Sequence, residues 1–126
     1  MIANDLYKKR IFEYFKNTRF SAPLINSDVY FSQTGVICSD QVEFFINFNT
    51  RTIQLLHCKV AGCIVASACA AMLAEFCQAK TITEILNITE QDFLEKIVQI
   101  CITGSRKECA IFAFNALQKK LPLLAK

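Results

Sequence analysis

With 126 residues, 53% of them apolar, and 14 basic against 11 acidic side chains for a formal net charge of +3, the chain has the makings of one domain, 1–126, with a substantial core, and is too apolar for a disordered polypeptide. The mild charge, with no basic stripe interleaved with aromatics, argues against a nucleic-acid partner. Seven cysteines are many for this length, but the odd count and a start, Met1-Ile2-Ala3-Asn4-Asp5, lacking a basic or apolar leader argue against a secreted disulfide framework; the expectation is a cytoplasmic protein with reduced thiols.

In chain order, Leu6, Tyr7, Arg10, Ile11, Tyr14 and Phe15 recur at intervals of three and four and predict a helix over Asn4 to Asn17, capped by Asn4 or Asp5. A loop from Thr18 to Asn26 holds Pro23. Three strands follow: Ser27 to Thr34, Gln41 to Asn49 and Thr52 to Val60, with a turn at Asn49-Thr50. The second places Val42, Phe44, Ile46 and Phe48 on one face and Glu43 and Asn47 on the other. The remainder is helical. Ile64 to Gln78 is rich in Ala and Cys and belongs to the longest apolar run, Val60 to Ala74, which is short of the roughly 20 residues a bilayer span needs, so no membrane segment is expected. Thr81-Ile82-Thr83-Glu84 and Thr89-Glu90-Gln91-Asp92 have capping-box spacing and open two shorter helices, the second running to about Ile100. Ser105-Arg106-Lys107-Glu108 opens the last helix, which Pro122 should end near Leu121. Strands first and helices afterwards predict an α+β fold: a three-stranded antiparallel sheet with helices packed on one face.

The chemistry lies in the thiols. The chain has only three glycines, and each is within five residues of Cys38, Cys63 or Cys109. Glycine permits tight turns and close approach to a ligand. Cys38 lies between the first two strands, Cys63 where the third strand passes into a helix, and Cys109 in the first turn or so of the last helix. Three such element ends can converge at one end of a sheet. The partial positive charge of a helix start favours thiolate, the form that binds metal and accepts sulfur. Asp40, two residues after Cys38, completes a four-ligand set for tetrahedral Zn²⁺ or the outer positions of a [2Fe–2S] cluster. Cys58, Cys69, Cys77 and Cys101 have no glycine beside them and read as core residues. No CxxC pair occurs. His57, alone on a strand beside Cys58, is a further candidate ligand, and Glu108 is accounted for by its capping position.

These motifs resemble, over nearly the whole chain, the iron–sulfur cluster assembly scaffolds of the NifU N-terminal/IscU/SufU type. Glu13-Tyr14-Phe15-Lys16-Asn17-Thr18-Arg19 resembles the family's HYxNPRN-like stretch without its histidine. Cys38-Ser39-Asp40 resembles its C-G-D motif, Gly62-Cys63 its G-C step, Lys80-Thr81 its G-K-[ST] step, and Arg106-Lys107-Glu108-Cys109-Ala110 its R-x-x-C-A motif. Ser39 stands for a glycine, Glu108 for the histidine of the IscU branch, and the chaperone-binding Leu-Pro-Pro-Val-Lys stretch is absent.

The resemblance implies a scaffold that accepts sulfur from a cysteine desulfurase, with Cys38 or Cys109 as persulfide acceptor. It would bind iron, build a transient [2Fe–2S] cluster between Cys38, Asp40, Cys63 and Cys109, and hand it to apo iron–sulfur proteins, acting as a monomer or weak dimer. On that reading it is a scaffold and not an enzyme. The SufU branch implies an alternative, a sulfurtransferase-like acceptor in which Zn²⁺ occupies the same four residues. A third reading is an interaction module that keeps the fold without the metal.

Overall fold

The computed structural model describes residues 4–35, 40–100, 102 and 104–124. Helix α1 spans Asn4–Lys16, and three strands follow, β1 Val29–Thr34, β2 Gln41–Asn49 and β3 Thr52–Ala61. They form an antiparallel meander in the order β1-β2-β3. Helices α2 (Ile64–Cys77), α3 (Ile82–Leu86), α4 (Glu90–Asp92) and α5 (Ser105–Leu124) complete the chain. The α+β expectation holds. Residues Cys38 and Cys101 lie outside the described residues.

The alternation that predicts β2 works because one sheet face meets the helices. Val42, Phe44 and Ile46 are buried there, paired with Val60, Cys58 and Leu56 of β3. Strict alternation would turn Ile53 outward. The register instead slips, with Asn47 opposite Leu55 and Phe48 opposite Ile53. The extra residue, Gln54, returns Ile53 to the core side, where it is buried. Phe31 of β1 stacks on Phe44 at 4.9 Å.

Helix α2 is apolar over most of its circumference because α1, α5 and β3 pack around it, while Ile64 and Glu75 stay exposed. Its alanines and cysteines let those neighbours approach closely. The apolar run starting at Val60 is thus shared between the end of β3 and α2. Phe93 and Phe114 stack at 4.8 Å and bind the α4 region to α5; fully burying a side chain of this size contributes about 1.5–3 kcal/mol.

Both short capping boxes are closed. Thr81 Oγ1 accepts from the Glu84 N–H and Thr89 Oγ1 from the Asp92 N–H, while each carboxylate accepts from the backbone N–H of its threonine. Three expectations are corrected. Beyond Asp92 the chain widens into a π-helical turn, Phe93–Val98, closed by the Gln99 N–H donating to Leu94 O at 2.9 Å, so the α-helix does not run to Ile100. Ser105 is the first residue of α5 and not the cap before it. Pro122 lies inside α5, which continues to Leu124. It removes one N–H from the last turn only, and Leu121 and Leu124 on either side pack on the core.

Long polar side chains close several helix ends. Arg10 of α1 donates from Nε to Val98 O at 2.5 Å and from Nη2 to Ile97 O at 2.7 Å, satisfying carbonyls at the end of the π turn. Gln78 Nε2 donates to Ala74 O and Leu56 O, both at 2.7 Å. Gln118 Nε2 donates to Ile85 O at 2.6 Å. No described helix is long and apolar enough to cross a membrane.

Candidate metal centre

Asp40 precedes β2, and the Gly35 N–H donates to its carbonyl at 2.7 Å, closing the link from β1. Ala61, the last residue of β3, pairs with Gln41. Gly62 then carries the chain across Asp40, and Cys63 caps α2 with an extended backbone (φ −75°, ψ 165°). Its Sγ accepts from the Ala66 N–H at 3.4 Å, the bond an N-cap oxygen ordinarily makes. Cys109 is in the N-terminal part of α5, which packs on α2.

One ligand atom from each of Asp40, Cys63 and Cys109 lies within 4.8 Å of the others. Asp40 is the buried polar side chain of the described core, 6% exposed, and its Oδ1 accepts from the Cys63 N–H at 3.3 Å. Cys63 and Cys109 are half-buried. Two sulfurs and a carboxylate at this spacing suit a tetrahedral, sulfur-preferring ion such as Zn²⁺ or iron. Three of the four predicted site residues thus come together, and the fourth, Cys38, is outside the described residues.

The cysteines assigned to the core are chemically distinct. Cys58, Cys69 and Cys77 are buried. Burial pushes the Cys58 and Cys77 thiols well up and that of Cys69 up to about 12. They stay protonated at neutral pH and make poor ligands. His57 stands away from the group: its Nδ1 donates to Ala22 O at 2.6 Å and its ring meets Phe20 edge-on at 5.7 Å. Glu108 is exposed and outside the ligand group.

The sequence profile of the family described as NifU-like N terminal domain matches residues 6–122. The chain belongs to that family, the iron–sulfur cluster assembly scaffolds of the IscU/NifU/SufU kind. Two relatives from Archaeoglobus fulgidus, the iron–sulfur cluster assembly scaffold proteins IscU 1 and IscU 2, are each 24% identical over 116 residues, covering 92% of this chain and 74% of theirs. A protein of Fervidobacterium islandicum, described as an iron–sulfur cluster assembly scaffold for the SUF system, shares the fold with a TM-score of 0.76 at 17% identity, over 94% of this chain and 98% of its own. The N-terminal NifU-like protein of Brucella abortus gives 0.71 at 16% identity over 92% of each chain.

Proposed function

We propose that this protein is a working scaffold: it accepts sulfur from a cysteine desulfurase, takes up iron, assembles a [2Fe–2S] cluster as cargo and transfers it to apo-proteins. The convergence of Asp40, Cys63 and Cys109 from three element ends carries this reading, with Cys38 as fourth ligand. Sulfur enters when one thiolate, of Cys38 or Cys109, attacks the outer sulfur of the desulfurase persulfide. A new S–S bond forms on the scaffold and the desulfurase leaves as thiolate; two electrons from an external one-electron donor such as a reduced ferredoxin then cleave that bond, leaving the cysteine as thiolate and the outer sulfur as sulfide for the cluster. The carboxylate keeps the cargo displaceable, because an oxygen ligand yields to an incoming thiol more readily than sulfur does.

The same donors suit Zn²⁺, and the second reading is a zinc-holding sulfur acceptor that stimulates the desulfurase. Anaerobic reconstitution followed by iron, sulfide and zinc analysis separates the two, together with a desulfurase assay. The expected result is bound iron and sulfide, lost in Cys63→Ser and Cys109→Ser. Asp40→Ala should load and then pass its cluster to apo-ferredoxin more slowly than wild type. Wild type that holds neither metal nor sulfide, or serine variants that bind as wild type does, would overturn the scaffold reading.

A further inference from the structure

The two glycines Gly62 and Gly104 stand before the two site cysteines, and they are glycine for different reasons. Gly104 has a left-handed backbone (φ 68°), and a methyl added there would meet nothing within 4 Å. Gly62 has no left-handed backbone, so no positive φ calls for glycine there. What it lacks is space. A Cβ at position 62 would fall 2.2 Å from Oδ1, 2.4 Å from Cγ and 2.9 Å from Cβ of Asp40, all far inside van der Waals contact.

The backbone cannot easily yield. Ala61 on one side is held in the ladder opposite Gln41. Cys63 on the other side is held as the cap of α2 and by its N–H on Asp40 Oδ1. The movable part is the Asp40 side chain, and it could leave only by swinging out of the group it forms with Cys63 and Cys109.

We propose that Gly62 is the positioning residue of the site: the missing side chain at 62 is the seat of the Asp40 carboxylate, and any Cβ there evicts that ligand. The inference rests on the scaffold reading for its purpose, but the steric coupling is independent of it. Gly62→Ala is therefore a carboxylate-loss variant in which the carboxylate is still present in the sequence.

The test is a cycle of wild type, Gly62→Ala, Asp40→Gly and the double variant. Zn²⁺ affinity is measured by chelator competition, the Co²⁺ spectrum is recorded, and the urea midpoint is taken on metal-free protein. Gly62→Ala should weaken Zn²⁺ by about ten- to a hundred-fold, as loss of a supporting group does. It should give the Co²⁺ spectrum of the Asp40→Gly variant, with the sulfur-to-cobalt charge-transfer bands kept. Adding Gly62→Ala should lower the metal-free midpoint when Asp40 is present. The same change should scarcely move it in the Asp40→Gly variant, where the three clashing atoms are gone. If Asp40→Gly does not fold, Asp40→Ala leaves only the 2.9 Å contact and should rescue most of the loss. Equal losses with and without the Asp40 side chain, or wild-type Zn²⁺ affinity in Gly62→Ala, overturn the proposal. A wild type that binds no metal defeats the scaffold reading, while the metal-free cycle still decides the coupling.

Discussion

At the residue scale, one element has been put to two uses. Cys63 and Cys109 are half-buried at helix starts, and Cys58, Cys69 and Cys77 are sealed in the core. This division is legible from glycine spacing and local polarity. The consequence for pH is not. The Cys69 thiol is raised from an ordinary 9.0 to about 12, chiefly by burial and secondarily by the nearby Cys63. It therefore ionises later in the folded protein than in the unfolded chain. The stability this supplies is intact below pH 9 and is lost as pH climbs from 9 towards 12. The expected slope is about 1.4 kcal/mol per pH unit for each such thiol. Urea denaturation of wild type and Cys69→Ala between about pH 8 and about pH 11 checks this. The variant should start less stable, through lost packing, and fall with a shallower slope. Parallel curves would contradict the assignment. The partnership of Gly62 with Asp40 is invisible in the sequence, because a glycine wanted for space reads like one wanted for a turn.

At the scale of elements, the sheet order, the three strands and the two threonine capping boxes are readable, since each rests on local spacing. The π turn, the bulge at Gln54 and the persistence of α5 through Pro122 are not, because each is decided by distant packing. The chain also closes its helices without spending glycine on them. Ala79 after α2 and Gln99 after the π turn have φ of 64° and 63°, in the left-handed region where helix ends commonly place Gly. Neighbours enforce this: the Ala79 N–H donates to Ile53 O at 2.9 Å. A left-handed residue with a Cβ costs roughly 1 kcal/mol. Ala79→Gly should relieve that strain and, after the loss of chain entropy, raise stability by about 0.5 kcal/mol. A fall in the urea midpoint would show that the turn is not strained.

For the whole molecule, the ligands belong to three separated stretches: the start of β2, the cap of α2 and the first part of α5. Occupancy therefore bridges sheet and helices. Zn²⁺ should raise the thermal midpoint in a concentration-dependent way, with about 2.7 kcal/mol gained at about a hundred times the dissociation constant. Cys63→Ser and Cys109→Ser should abolish the rise, and a chelator should reverse it in wild type. A midpoint indifferent to zinc would argue that the group does not bind it.

The wide sequence separation of the three ligands also bears on when they can act. A chain made on the ribosome folds as it emerges, N-terminal parts first. Asp40 and Cys63 leave early, but Cys109 arrives only with α5, which packs on α2. Until then the set lacks the sulfur of Cys109 and holds an ion less firmly. Competence to carry cargo is thus deferred until α5 has been made and has packed on α2.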